Sequence, residues 1–326
     1  MKLNSDTPSS SPLSEGRVLG SLVVPVYNEE ASIPTFFKRI EEALFPTEKM
    51  DFEIVFVNDG STDSTLERLL GYHSNVFRIV VVDLSRNFGK EAALTAGLSN
   101  ASGDFVVPID IDLQDPPELI VEMILKWGDG YEVVEGRRID RSTDSFLKRN
   151  SAKLYYALHN SVSELKITGN VGDFRLMDKR VVEAILSLPE SQRFMKGLFA
   201  WVGFRTTTID YARNARTTGE TKFSTSKLVN LALQGLTSFS ISPLRIWTYL
   251  GLVVSLFSIS WAVFIVVRSV IFGIDAPGYA STIAAITILG GLQLIGIGIL
   301  GEYLGRTYME AKRRPSHIVR QIHRKP

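Results

Sequence analysis

Cysteine is missing from the 326 residues. Its absence excludes disulfides, thiolate metal sites and a cysteine nucleophile, and leaves the redox compartment open. Histidine is nearly as scarce: the four, His73, His159, His317 and His323, are scattered at no metal-ligand spacing and read as structural or solvent-exposed. A surplus of one charge is lacking too. With 36 basic against 35 acidic side chains and a formal net charge of +1, nothing points to a nucleic-acid partner, which a basic excess usually announces. Residues 1–17 lack the apolar core of a signal peptide; rich in Ser, Pro and charge, they are expected to form a disordered leader.

What is present divides in two. Over residues 18–218, short Val- and Ile-rich runs alternate with longer amphipathic stretches. The runs at 18–26, 52–58, 78–84, 105–109 and 133–136 lack polar alternation, as strands buried on both faces should. Between them, 31–44, 64–70, 90–101 and 118–127 read as helices. Strand and helix in alternation imply an α/β domain with parallel pairing and crossover helices. Ligands of such sheets bind beyond the carboxyl ends of the strands, so the loops there are where chemistry is expected.

The second part is apolar. Residues 219–245 hold a loop with basic residues and an amphipathic stretch that suits a membrane interface, although a core-packing helix has the same pattern. Residues 246–267 and 276–301 carry no charge, and each exceeds the roughly 20 residues that span a bilayer core. Trp247, Tyr249, Tyr279 and Tyr303 sit near their ends, where amphipathic aromatics prefer the interface. Two transmembrane helices are therefore predicted within 246–303, joined by a short loop at 269–275. The basic segment 304–326, with Arg306, Lys312, Arg313, Arg314, Arg320, Arg324 and Lys325, is expected to be a cytoplasmic tail by the positive-inside rule. Two spans then place the large domain on the cytoplasmic side as well. Glycines at 290, 291, 296, 298 and 301 suit close helix packing, either within a homo-oligomer or between the two spans of one chain.

Three strand ends carry the polar motifs. The first is Val24-Pro25-Val26-Tyr27-Asn28-Glu29-Glu30 and the second Val57-Asn58-Asp59-Gly60-Ser61-Thr62-Asp63. Each alone is a polar turn that caps a helix; together they border a crevice, where Asp59 can accept a hydrogen bond from a nucleobase N–H. The third is Asp110-Ile111-Asp112-Leu113-Gln114-Asp115. Residues two apart on an extended chain share a face, so Asp110 and Asp112 can point at one hard cation. Such a cation would neutralise a departing diphosphate.

These motifs, with Leu84-Ser85-Arg86-Asn87-Phe88-Gly89-Lys90, Gly172-Asp173-Phe174-Arg175-Leu176, the segment 216–223 and Gly301-Glu302-Tyr303-Leu304-Gly305-Arg306, resemble those of family 2 glycosyltransferases of the GT-A fold. More narrowly they resemble the polyprenyl-phosphate glycosyltransferases, the group of dolichyl-phosphate mannose synthases and GtrB-type glucosyltransferases. The resemblance covers residues 18–320. It implies a GT-A Rossmann-like mixed sheet flanked by helices, then interfacial helices and two spans. It further implies that Pro25, Tyr27 and Glu29 line the nucleotide pocket, that Asp59 holds the base, and that Asp110 and Asp112, assisted by Gln114, serve the diphosphate and its Mg²⁺ or Mn²⁺. Arg137, Lys148, Arg149 and Ser151 match positions that receive the acceptor's phosphate. Arg213, Arg216 and Lys222 stand where a basic loop closes over the diphosphate, although Gly219-Glu220-Thr221-Lys222-Phe223 replaces the commoner Gly-Glu-Ser-Lys-Tyr. Asp173 is left with three roles: orienting the acceptor, acting as a weak base, or pairing with Arg175 or another basic group.

The implied activity is inverting transfer of a hexose, glucose from UDP-glucose, onto polyprenyl phosphate at the cytoplasmic membrane face. GDP-mannose as donor and an inactive membrane scaffold are the alternatives. A processive polysaccharide synthase would need a Gln-x-x-Arg-Trp motif and more spans; Ser191-Gln192-Arg193-Phe194 does not match.

Overall fold

The computed structural model describes residues 17–44, 50–139, 171–190, 193, 195–212, 242–272 and 278–325. The elements run β1 (Val18–Val26), α1 (Ile33–Leu44), β2 (Met50–Asn58), α2 (Thr65–Gly71), β3 (Phe77–Leu84), α3 (Lys90–Asn100), β4 (Phe105–Pro108), α4 (Leu119–Gly128), β5 (Val133–Arg138), β6 (Val171–Asp178), α5 (Lys179–Ser187), α6 (Met195–Trp201), β7 (Thr206–Tyr211), α7 (Ser242–Phe272), α8 (Tyr279–Ala311) and β8 (Val319–Lys325). All strands join one mixed sheet in the order β7-β5-β6-β4-β1-β2-β3-β8. The central four, β4-β1-β2-β3, are parallel.

Successive residues of the central strands enter opposite apolar layers. Val24, Val26, Ile54 and Phe56 meet Phe36 and Phe37 of α1 and Trp127 of α4. Val23, Val55, Val57 and Val82 meet Leu94 of α3 and Val181 of α5. Both faces are covered, which is why these strands read as unbroken apolar runs. α3 lies close on the sheet through Gly97, where an added Cβ would stand 2.3 Å from Val23 Cγ1.

Three strands were not among the apolar runs. β6 inserts antiparallel between β4 and β5, carrying Asp173 and Arg175, whose charges hide it from a hydropathy pattern. β7 adds parallel to β5 at one edge. At the other edge β8 pairs antiparallel with β3, so the expected basic tail is in part the outermost strand of the domain's own sheet. The physical reason is that β3 would otherwise present an unpaired row of backbone groups.

α7 extends beyond its charge-free run at both ends, and α8 beyond its own at the C-terminal end. Within α8, Ile288–Ala311 is long and apolar enough to cross a membrane and is almost wholly exposed; it is the one helix among the described residues to meet that criterion. The two helices meet where Trp247 packs on Gly296, whose added Cβ would stand 2.0 Å from Trp247 Nε1. Gly296 thus serves packing within one chain, whereas Gly290, Gly291, Gly298 and Gly301 face open space. The amphipathic stretch at 223–240 lies outside the described residues.

Candidate active site

The site is built where β1, β2, β3 and β4 end. After β1, Asn28 turns the chain with a φ of 54°, and its side-chain oxygen accepts from Thr62 N at 2.8 Å. Ser61 Oγ in turn accepts from Asn28 N at 3.0 Å, and Thr65 Oγ1 from Glu29 N at 2.9 Å. The first two motifs are therefore one hydrogen-bonded unit. Of the residues expected at the nucleotide pocket, Pro25 is half-buried and Tyr27 is exposed, leaving its ring available for stacking. The Glu29 carboxylate accepts from Ser32 Oγ at 2.7 Å.

Asp59 is buried. Its carboxylate accepts from the backbone amides of Phe88 and Gly89, at 2.7 and 2.9 Å, and so fixes the turn that links β3 to α3. Burial pushes its pKa up against the opposing pull of those amides and of Arg86. Gly60, with φ 67°, lets the same turn approach; a Cβ there would stand 2.5 Å from the backbone at Arg86 and Asn87. The side chain expected to hold a base thus also holds the turn.

That turn delivers Lys90. Its Nζ lies 2.7 Å from Asp110 Oδ1 and 3.1 Å from Asp173 Oδ2. Burial works against the ammonium, but the two carboxylates outweigh it and hold its pKa above the ordinary value. Lys90 is a site residue that the sequence reasoning did not single out. The sequence signal for it is a lysine that opens a helix just past a strand end.

The acidic motif is not extended. β4 ends at Pro108, and Leu113 N closes a turn onto Asp110 O at 3.1 Å, with Leu113 at φ 50°. Asp110 and Asp112 therefore share a face through a turn and not, as expected for residues two apart, along an extended segment. What keeps both carboxylates outward is burial of Ile109 and Ile111, which alternate with them. Asp110 meets Lys90, while Asp112 accepts from Gln114 Nε2 at 2.6 Å. Among the described residues no group of three His, Asp or Glu could cage a metal. Asp110, Asp112 and Gln114 fit instead a hard cation that takes one or two carboxylates and completes its shell from water and substrate phosphate.

Asp173 reaches the site because β6 runs beside β4; it pairs with Lys90, and its charge also acts on Arg175. Arg175 is buried; it donates to Glu135 Oε1 at 2.8 Å and lies 4.0 Å over the Phe199 ring. Burial draws its pKa below the ordinary value despite Glu135 and Asp173. Arg137 is half-exposed and makes a bidentate pair with Asp210 of β7, at 2.6 and 2.8 Å. Its neighbour Arg138 faces the other way, onto buried Asp115 at 3.2 Å and Tyr211 Oη at 3.1 Å. Burial opposes the Arg138 charge, but Asp115, Tyr211 and Asp110 hold its pKa above the usual arginine value. The remaining candidates, Lys148, Arg149, Ser151, Arg213, Arg216 and Lys222, lie outside the described residues.

A family model described as glycosyl transferase family 2 matches residues 21–186, which include β2 to β6 and the loops that carry Asn28, Asp59, Lys90 and Asp110. The chain belongs to glycosyl transferase family 2. Its sheet is the GT-A Rossmann-like mixed sheet of a glycosyltransferase. A second model, described as GtrB C-terminal hairpin, matches residues 242–307, the segment of α7 and most of α8. The glycosyltransferase is 50% identical over 302 residues to the prophage bactoprenol glucosyl transferase homolog of Escherichia coli strain K12, covering 93% of this chain and 98% of the relative. It is 50% identical over 304 residues to the bactoprenol glucosyl transferase of Shigella phage SfII, again covering 93% and 98%. An uncharacterized glycosyltransferase of Synechocystis sp. is 50% identical over 302 residues, covering 93% and 95%.

Proposed function

We propose that this glycosyltransferase moves a hexose, with inversion, onto polyprenyl phosphate at the cytoplasmic face of a membrane, with UDP-glucose as donor and undecaprenyl phosphate as acceptor. The observation that carries the reading is the meeting of Lys90 with Asp110 and Asp173 at the strand ends of a chain that continues into an apolar helical hairpin. The names of the relatives support glucose and bactoprenol.

Donor and acceptor are both anionic, so the site must offset their repulsion. In this reading Tyr27 stacks on the base, and Pro25, Glu29 and Asp59 border it. A divalent cation, Mg²⁺ or Mn²⁺, held by Asp110 and Asp112 with Gln114 in support, supplies charge neutralisation on the departing diphosphate. Arg213, Arg216 and Lys222 close over that diphosphate. Arg137, Lys148, Arg149 and Ser151 receive the acceptor's phosphate. An acceptor phosphate oxygen bonds to the sugar's anomeric carbon from the face opposite the diphosphate. The bond to the diphosphate breaks and its electron pair leaves with UDP. The acceptor is already ionised, so positioning and electrostatics suffice and no base is required. Asp173, tied to Lys90, orients rather than deprotonates.

Two spans, α7 and α8, anchor the enzyme. The pairing of β8 with β3 supports this count, because the chain after α8 returns to the domain that precedes α7, and an even number of crossings is needed. The open glycines of α8 suit a homo-oligomer.

The test is a donor screen. Protein in nanodiscs receives labelled UDP-glucose, UDP-galactose, UDP-N-acetylglucosamine or GDP-mannose, each with Mg²⁺ and undecaprenyl phosphate, and label is counted in the organic phase. Metal-dependent label from UDP-glucose alone is expected. Label from GDP-mannose alone would replace the donor, and none from any donor would favour a scaffold.

A further inference from the structure

The last strand of the chain does more than cover an edge. Arg320, on β8, donates from Nη1 to Asp83 Oδ2 at 3.2 Å and from Nη2 to the carbonyl of Ser85 at 2.8 Å. Beside it, Ser85 N donates to the carbonyl of Ile318 at 2.9 Å. Both backbone groups of Ser85 are thus held by the C-terminal segment. Ser85 is the root of the turn that runs from Leu84 to Lys90.

Two lines lead from these contacts to the candidate donor site. Along the turn, the next anchored groups are the amides of Phe88 and Gly89, on Asp59, and the turn ends at Lys90, on Asp110 and Asp173. Across the sheet, buried Asp83 accepts at its other oxygen from Asn58 Nδ2 at 2.7 Å. Asn58 precedes Asp59, and its Oδ1 accepts from Ser61 N at 3.2 Å. Without Arg320, whose side chain is itself 60% exposed, buried Asp83 would lose its charged donor, and the neighbours that share that carboxylate would be freed to shift. The groups that would reorganise are the two loops that carry Asp59 and Lys90.

We propose that Arg320 is a positioning residue for the donor site, and that β8 is a strap by which the segment following the helical hairpin sets the turn 84–90. The proposal rests on the reading that Asp59, Lys90 and Asp110 handle the nucleotide-sugar. A plain edge-covering strand would stabilise the domain as a whole. A positioning strap also acts on one loop and on one substrate.

The experiment uses the full chain in nanodiscs and three variants: Arg320→Ala, Arg320→Lys and, on the same strand, exposed Arg324→Ala. Two quantities are read: amide exchange of peptides covering 84–90, and the KM for UDP-glucose at saturating undecaprenyl phosphate. Arg320→Ala is expected to speed exchange at Phe88 and Gly89 and to raise the donor KM by roughly 5- to 10-fold, in line with loss of a charged hydrogen-bond pair, with the acceptor KM little changed. Arg320→Lys is expected to recover part of both effects, since it keeps the charge but not the fork. Arg324→Ala is expected to match wild type. The inference is overturned if Arg320→Ala leaves exchange at 84–90 and donor KM at wild-type values, or if Arg324→Ala reproduces both effects. Should wild type transfer no glucose, the proposed donor fails, while the exchange of 84–90 still decides whether Arg320 orders the turn.

Discussion

Lys90→Met is the substitution that probes the site most directly. It keeps the length and most of the apolar stem and removes the ammonium from between Asp110 and Asp173. At an effective dielectric of about 20, charges at such distances attract by roughly 5–6 kcal/mol each. Solvent takes back most of that, because 48% of the Lys90 side chain is exposed, and exposed pairs are worth only about 0.2–1 kcal/mol each. Two pairs then hold Lys90 by about 0.4–2 kcal/mol. A divalent cation arriving at Asp110 must compete with that interaction. In the ligand-free variant it need not, so Mn²⁺ should bind more tightly, by about 2- to 30-fold. Turnover should nevertheless fall, because a positive charge facing the diphosphate is lost. Free Mn²⁺ measured by electron paramagnetic resonance across a titration gives the affinity, and the labelled-lipid assay gives the turnover. Unchanged or weaker Mn²⁺ binding in Lys90→Met would refute the idea that lysine and cation share Asp110.

Three further outcomes are expected. Asp110→Asn should lower transfer by at least about 100-fold, the scale on which removal of a group stabilising transition-state charge is felt; near-normal transfer would end the metal role assigned to it. Gly97→Val drives a side chain into Val23 across a gap of 2.3 Å for its first atom. Overpacking of that kind costs about 1–3 kcal/mol, read as a lower unfolding midpoint by tryptophan fluorescence, and an unshifted midpoint would show that α3 can lift off the sheet freely. Asp178 is nearly buried, and burial alone would raise its carboxyl, but hydrogen bonds from Arg180 and Trp127 outweigh this and hold it below the ordinary 3.8. The folded pKa is thus depressed, so its stabilisation is present above about pH 4 and is lost as pH falls through the folded value. Asp178→Asn should flatten the acid limb of stability against pH, and an identical limb in the variant would place the acid sensitivity elsewhere.

The central strands and their helices were legible from residue types, because burial on both faces writes an unbroken Val and Ile run into each strand. The strand ends were legible for the same reason: polar turns at 27–30, 58–63 and 110–115 interrupt those runs at the carboxyl side. Charge-free segments near the C-terminus announced long apolar helices without any reference to the rest of the chain. These features depend on local composition and period, which a sequence records directly.

Pairings across the sheet are of another kind. That β6 enters antiparallel beside β4 follows from backbone hydrogen bonding over a long sequence separation, and only this brings Asp173 to Lys90. Arg137 and Arg138 are adjacent in sequence, yet strand alternation sends one to Asp210 and the other to Asp115. Asp110 and Asp112 lie outward through a turn pinned by two buried isoleucines, not through an extended segment. The basic C-terminal residues read as a solvated tail because charge is all that composition can register there. Their backbone groups closed the free edge of β3, and that tertiary hydrogen bonding put Arg320 against the root of the turn that carries Lys90.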